Sequence, residues 1–551
     1  MTEPVPTSPA MKKIFQISLF LILFSSLLFF LRLGNLGLTD RDEASFSEAT
    51  LEMIESGDWL TPHLNGNTRF DKPILIYYIM AASFKLFGVS EWAARIHSAV
   101  FATMLLLVTF FFVRRHLPEQ IALISSVILG SNLLIVIQGR AATTDMALIL
   151  TTTCALFLFF EGTQGHRHAY LAIYPLLALG FLIKGPVAVI IFLAAAIPYL
   201  LLTGRLRLFF REAYPIWGLV AFTAIALPWF AVVWMIHGSK YTEAARAFTF
   251  GRYFSTIGGH GGTPFFYILV LLITFFPWVI WLPGALWRIL RTRRQAAKST
   301  ETPSLLLLFA AVWIVGGLIF FSLSQTRMAH YIAPLYPAAA ILVAQAWGRL
   351  LENKPIGKWT VISLMTWGTI LGICFLSAPA VLDRFRHLFI DQVPLEESLG
   401  VTLPLAINGI VILIGTAISS IALLRRSVWT AFGACLGMIS ILILASVFLL
   451  APRIDHLLLS PSREMSQEVG RSIGSQGVFI AYGTYRPSLV FYARHNVISL
   501  KIGQESEIDQ IISSVPQTYI LTKRFPPGST PLPSWGRIMT VKGPYLLIAR
   551  P

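Results

Sequence analysis

Apolar segments of roughly membrane-spanning length, about 20 residues per helix, recur through the first 450 positions with little charge inside them. Thirteen fit: near 14–33, 94–113, 119–137, 145–161, 169–183, 187–202, 215–236, 265–287, 304–323, 330–348, 359–380, 402–424 and 428–451. The first, from Ile14 behind Lys12 and Lys13, is long for a signal-peptide core and lacks a small-residue cleavage site, so it reads as a retained anchor. Two polar intervals are too long to be simple turns. In 34–92, Glu48, Glu52 and Glu55 recur at helical spacing with Leu51 and Ile54 on the other side, which predicts an amphipathic helix at the membrane surface. Ile74 to Phe87 is apolar but too short to cross, a second interfacial helix. Beyond 452 hydropathy drops. Segments 478–483, 517–524 and the hairpin-like 537–550 predict strands of a small α/β domain, with a Pro, Gly and Ser loop at 525–535.

Composition agrees. Of 551 residues 55% are hydrophobic and 13% charged, which excludes an ordinary soluble enzyme. Lys plus Arg number 43 against 27 Asp plus Glu, a net charge of +16. The basic residues fall in alternate connections: Arg114 and Arg115; Arg167; Arg205, Arg207 and Arg211; Arg288 to Lys298; Arg349, Lys354 and Lys358; Arg425 and Arg426. The positive-inside rule makes those loops cytoplasmic and leaves no basic patch for nucleic acid. Nine of the 27 acids lie between Asp40 and Glu91, on the opposite, outer side, and an odd span count puts the tail there too. Cys154, Cys374 and Cys435 sit in apolar runs and form neither a disulfide framework nor a metal site.

Candidate chemistry collects at the outer face. Asp42 and Glu43 place two carboxylates shortly after the first span, where they can act as general base, orient an acceptor or bind a cation. Helix capping by Asp42, with Glu43 favoured by the helix dipole, is the alternative. Asp71, Lys72 and Pro73 put an acid and a phosphate-binding cation before the interfacial helix; a surface ion pair is the plainer possibility. Asp145, with Arg140 shortly before it, Lys184, and Arg327, His330 and Tyr331 stand at outer ends of spans, where ionisable groups either serve a function or pair with one another. The segment His237 to Gly262 carries Arg252 and a GGHGG run around His260, a candidate mobile flap with one histidine as a candidate metal ligand. No HExxH, GxSxG, Walker A or GxGxxG context occurs. A secondary transporter is the competing class, but repeat halves and a midplane site are absent from the pattern.

The run DEASFSEATLEMIESGDWLTPHLNGNTRFDKPILIYY closely resembles the first periplasmic loop of bacterial lipid-phosphate-sugar glycosyltransferases of the GT-C superfamily. Among these, the aminoarabinose transferases acting on lipid A and the group related to protein O-mannosyltransferases are most similar. The resemblance continues in TTDMAL, IKGP, RMAHYIAPLYP and PSLVFYARHNV. It implies a polytopic α-helical membrane protein of about 13 spans, with a transmembrane GT-C domain at 1–451. That domain would contain the 34–92 periplasmic loop and a flap at 237–263, and a periplasmic α/β domain would fill 452–551. The implied function is transfer of a sugar from undecaprenyl phosphate at the periplasmic face of the inner membrane. The leading assignment is 4-amino-4-deoxy-L-arabinose to lipid A phosphate; another sugar, such as mannose, to protein or a surface glycan is the alternative. By resemblance Asp42, Glu43 and Asp145 are catalytic, and Lys72, Arg252, Tyr331 and Lys184 bind the carrier phosphate. Asp71 and His260 stand where a divalent cation would be held. Two departures bear on that cation: Asp71 replaces a glutamate, and FGRYFSTIGGHGG replaces a histidine-rich stretch.

Overall fold

The computed structural model describes residues 9–254, 261–263, 265–389, 398–515, 517–524 and 535–550. Its first part is a helical bundle whose apolar core runs from Leu21 to Ile443. The elements that carry the site come early: α1 (Pro9–Ser25, extended by a π-turn Ser26–Phe30), α2 (Asp42–Ser56), α3 (Leu75–Phe87), α4 (Glu91–His116), α5 (Glu119–Gly130), α6 (Leu133–Gly139), α7 (Asp145–Thr163) and α8 (Ala169–Lys184).

Among the described residues eight helices are long and apolar enough to cross a membrane, or eleven if each bent pair is one span. The remaining two of the thirteen expected segments become the 16-residue helices Ala169–Lys184 and Tyr336–Leu351, the second entered through a 3₁₀ turn at Ala329–Leu335. Local chemistry breaks the bent spans. Asn132 accepts hydrogen bonds from the Leu134 and Ile135 amides and so starts a new helix, α6, at 66° to α5. Gly204, in the left-handed region at φ 68°, ends Val187–Thr203 before a 117° turn. Pro215–His237 leaves Ile216, Trp217, Leu219 and Trp234 exposed, as a lipid-facing helix does.

The expected loop after His237 is instead helical from Ser239 to Phe254, in part as a π-turn. His260 lies outside the described residues. The last long helix is continuous from Val428 to Ser472, with π-turns at Ser446–Leu450 and Asp455–Leu459, so the expected boundary at 451/452 falls inside the helix that carries the C-terminal unit.

That unit is a five-stranded sheet. A two-residue ladder in the first outer loop, β1 (His63–Leu64) and β2 (Asn67–Thr68), precedes it in the chain. The sheet itself holds β3 (Val478–Tyr482), β4 (Val497–Leu500), β5 (Thr518–Lys523), β6 (Arg537–Lys542) and β7 (Tyr545–Arg550), in the order β4-β3-β5-β7-β6. β3 is parallel to β4 and β5, while β7 pairs antiparallel with β5 and β6. Strand alternation sends Phe479 and Ala481 to one apolar layer with Met465, Val469 and Leu489. Ile480 and Tyr482 go to the other with Ile508 and Ile512, giving helices on both faces. The edge strand β4 was not expected from sequence.

The unit docks on the first outer loop. Asn65 and Gly66, both at positive φ, form the two-residue turn joining β1 to β2. Glu52 accepts both of their amides. Thus anchored, the Asn65 side chain pairs with the edge of β4, donating to the Val497 carbonyl and accepting its amide, each at 2.8 Å. Asp40 accepts from the Ser488 amide and from Arg486, capping the Pro487–Ala493 helix from across the interface. The Tyr492 hydroxyl accepts from the Leu38 amide and donates to Glu91.

This docking corrects the expected surface position of α2. Every residue from Glu43 to Leu51 is buried, because the acidic side packs beneath the Pro487–Ala493 helix and the other side against Ile76, Tyr77 and Met80. Glu48 is 4% exposed, with a buried Oε2 lacking a hydrogen-bond partner among the described residues. Burial, with the nearby Glu52 and Glu55 charges and against the pull of Arg494, pushes its carboxyl up to about 8.

In the unfolded chain Glu48 loses its proton near 4.5, whereas the folded protein holds it until about 8. Stability from this group is therefore greatest below 4.5 and falls as pH rises through that window. Glu48→Gln should remove this part of the pH slope, raising stability at pH 8 by on the order of 3 kcal/mol and changing little at pH 4.5. Thermal unfolding across that range checks it; identical slopes in the two proteins would refute the assignment.

Candidate active site

The outer face is organised by an ion pair buried beneath the loop between α1 and α2. Arg95, from the first turns of α4, makes a bidentate bridge to Glu43, Nε to Oε1 and Nη2 to Oε2, both at 2.8 Å. The Arg95 side chain is 2% exposed and that of Glu43 5%. Arg95 also donates to the carbonyls of Leu33, Leu36 and Gly37, which fixes the path of the loop. Glu43 accepts in addition from the Thr39 amide and hydroxyl and from the Ala142 amide. Burial alone would raise its carboxyl, but the Arg95 charge and these hydrogen bonds bring it down to about 2, so it stays ionised at any physiological pH. Of the expected catalytic pair, Glu43 therefore has both oxygens engaged within the fold. Its contact with Ala142 ties the loop to the turn before Asp145, and Arg140 ties the same turn to the end of α1 through the carbonyls of Leu28, Phe29 and Leu31.

Asp42 is different. It is the first residue of α2 and exposed, and among the described residues no hydrogen bond or ion pair engages its carboxylate. The capping alternative fails: Arg41 occupies the N-cap position, and the Ala44 amide is satisfied by the Thr39 carbonyl at 3.2 Å. Arg41 takes φ 73°, a conformation costing a non-glycine residue about 1–3 kcal/mol, which the Glu43 network on its other side holds in place. The sharp entry lets Glu43 turn inward while Asp42 faces out.

Asp145 opens α7, and Lys184 closes α8. Their side chains meet at 2.7 Å, Nζ to Oδ1, with side-chain exposures of 10% for Lys184 and 9% for Asp145. His330 Nε2 lies 3.9 Å from the same Oδ1, and the Lys184 ammonium sits 5.6 Å from the centre of the Tyr331 ring. Lys72 acts electrostatically on both Asp145 and His330, and Asp42 on His330. The structure thus brings Asp42, Lys72, Asp145, Lys184 and Tyr331 to one place, with His330 among them. The Lys72 ammonium donates to the Asp71 carbonyl at 3.0 Å and lies 3.9 Å from its carboxylate. Asp71 binds Arg69 at 2.8 Å, and Arg69 in turn donates to the Tyr77 hydroxyl and lies over the Phe46 ring.

Arg327 is engaged elsewhere, and the Arg252 side chain lies outside what the structure describes. Arg327 is drawn to the carbonyls of Gly262 and Ser322. Arg252 opens the short helical turn Arg252–Phe254, whose Tyr253 carbonyl accepts from the Gln325 amide. As for a metal, one Asp71 oxygen is buried and unpartnered, yet among the described residues no three His, Cys, Asp or Glu side chains converge to hold a cation. The donor set among the described residues fits a cation poorly.

Sequence reasoning passed over Arg95 and Arg69, and named Arg140 only as a neighbour of Asp145. The signal for Arg95 was present: it lies inside an apolar span at the outer end, where the positive-inside rule does not account for it, and such a residue must be paired.

Known proteins resemble the chain in sequence and in fold. The profile of a family described as dolichyl-phosphate-mannose-protein mannosyltransferase matches residues 71–234. An uncharacterized protein of Aquifex aeolicus (strain VF5) is 32% identical over 332 residues, 59% of this chain and 72% of that protein. The undecaprenyl phosphate-alpha-4-amino-4-deoxy-L-arabinose arabinosyl transferase of Aeromonas salmonicida (strain A449) is 30% identical, the alignment covering 65% of each chain, just under two thirds of that enzyme. The crystal structure of ArnT from Cupriavidus metallidurans bound to undecaprenyl phosphate superposes with a TM-score of 0.77 over 97% of both chains at 20% identity, a likeness of fold. A multi-pass membrane protein in architecture, the chain shares the fold of this structure and is related in sequence to polyprenyl-phosphate-sugar-dependent glycosyltransferases.

Proposed function

We propose that the protein transfers 4-amino-4-deoxy-L-arabinose from undecaprenyl phosphate to a phosphate of lipid A at the periplasmic face of the inner membrane. The observation that carries this reading is Asp42, an exposed carboxylate that no side chain engages among the described residues and whose charge acts on His330, itself next to the Asp145 and Lys184 pair. The names of the aminoarabinose transferases to which the chain is similar support the sugar and carrier. The acid-rich outer loop and the basic opposite loops support the orientation.

In the proposed reaction an acceptor oxygen forms a bond to C1 of the sugar as the bond from C1 to the carrier phosphate breaks, the electron pair leaving with the phosphate. Negative charge grows on that phosphate, so cations around it stabilise the transition state. Lys72 and Arg252 supply that charge. Lys184, held by Asp145 under the Tyr331 ring, offers a pre-oriented ammonium with its remaining N–H groups. A lipid A phosphate is already ionised and needs no base, so Asp42 then stabilises the positive charge that develops at C1 as the carrier phosphate leaves; a hydroxyl acceptor would instead lose its proton to Asp42. Displacement at C1 inverts the anomeric configuration. Transfer of another lipid-linked sugar to protein is the second reading, favoured by the protein mannosyltransferase family matched over 71–234.

Asp42→Asn preserves size at an exposed position and should leave the melting temperature unchanged, while transfer from an undecaprenyl-phosphate-linked sugar falls at least about 100-fold. A variant retaining full transfer would remove Asp42 from the mechanism. Mass spectrometry of lipid A from cells with and without the chain decides the acceptor. A pentosamine increment on lipid A phosphate that depends on the chain is expected, and lipid A unchanged by its loss would overturn this assignment.

A further inference from the structure

A second site lies on the other side of the Glu43 and Arg95 pair from Asp42. A cavity of about 330 Å³ is enclosed by the outer end of α1, the loop to Thr39, α6 and the stretch Ile443–Ile454 of the last long helix. That volume falls in the range of about 300–1,000 Å³ typical of ligand pockets. Its wall is almost wholly apolar, with Leu33, Leu133, Val136, Val447 and Leu450 prominent. Three arginines interrupt it: Arg32, Arg95 and Arg140. The one acid in the wall is Glu43, and Arg95 neutralises it.

Arg32 and Arg140 therefore give the cavity two positive charges that, among the described residues, no carboxylate balances. Arg140 uses three donors on the carbonyls of Leu28, Phe29 and Leu31 and retains two of its five N–H groups. Arg32 sits 5.0 Å from the Phe448 ring centre, on the mouth side of the last helix. Arginines at the head of an apolar groove between the ends of membrane-spanning helices match a ligand with an anionic phosphate head and a hydrocarbon tail. Free phosphate would leave the apolar wall bare, and a neutral lipid would leave the arginines uncompensated.

We infer that this cavity binds one anionic phospholipid of the surrounding membrane, its phosphate between Arg32 and Arg140 and an acyl chain along Val136, Val447 and Leu450. The site is separate from the carrier-phosphate cluster at Lys72. Because Thr39 and Glu43 form part of its wall, the bound lipid braces from below the segment that presents Asp42.

The test uses purified full-length protein in neutral detergent, titrated with dioleoyl phosphatidylglycerol and followed by native mass spectrometry and thermal unfolding. The lipid should bind and raise the melting temperature, whereas dioleoyl phosphatidylcholine and inorganic phosphate should do neither. Arg32→Gln removes a charge without touching the α1 carbonyls, and Val447→Trp fills the groove. Each should weaken phosphatidylglycerol binding at least tenfold with the lipid-free melting temperature preserved, and Lys72→Ala should leave it intact. Equal binding in all four proteins, or equal binding of phosphatidylcholine, would overturn the inference. Undecaprenyl phosphate is titrated in parallel. If Lys72→Ala alone weakens its binding, the carrier assignment stands whatever phosphatidylglycerol does; if Arg32→Gln alone weakens it, the cavity belongs to the carrier, and both the lipid inference and the carrier assignment fall.

Discussion

The outer face depends on one buried ion pair, Glu43 with Arg95. Taking both charges out of water costs several kcal/mol per ion, and their attraction offsets this only if the remaining lone pairs and protons are also satisfied. Here they are: Arg95 binds three loop carbonyls, and Glu43 accepts from Thr39 and Ala142. A pair so connected fixes geometry more than it adds net stability. It sets the end of α1, the start of α2, the first turns of α4 and the turn leading to Asp145 against one another, and it supports Arg41 at its strained φ. The exposed carboxylate of Asp42 inherits its position from this arrangement.

Around that centre the protein encloses polar chemistry with two unlike covers. From the membrane side, helix ends deliver Asp145 and Lys184, a pair close enough for each to hold the other's direction. From the water side, the C-terminal sheet unit closes over α2 through Asp40, Asn65 and Tyr492. The unit is carried on the continuous helix Val428–Ser472, and Asp455 within it accepts from the Gly37 amide while bridged to Arg463. The loop that presents Asp42 is thereby clamped from both faces, which suits the proposed transfer, whose main demand is placement of a leaving phosphate and an acceptor in line.

Much of this was legible in the sequence because the membrane imposes long apolar segments and satisfied backbones. Hydropathy located the spans, and four of the five strands of the sheet followed from β-rich runs. The breaks at Asn132 and Gly204 were not legible, since each rests on a single residue's capping or left-handed conformation inside an apolar run. The acidic periodicity of Glu48, Glu52 and Glu55 was read correctly as a helix face but assigned to water, because the surface that covers it comes from more than 400 residues away. The Asn65 and Gly66 pair was a hairpin signal that went unused. Asp42 and Glu43 could not be separated by spacing either: neighbours on a helix point about 100° apart, and only the position of Arg95 decides which one turns inward.

The account's central claim is that Glu43 and Arg95 act as one unit to place Asp42. A double-mutant cycle of Glu43→Gln and Arg95→Gln, read by thermal unfolding and by kcat for sugar transfer, tests it most directly. Each single change leaves the opposite charge buried and alone, so each should cost about 3–5 kcal/mol of stability and lower kcat sharply. The double variant should be no worse than either single. Additive losses, or a single variant that keeps full transfer, would contradict the account.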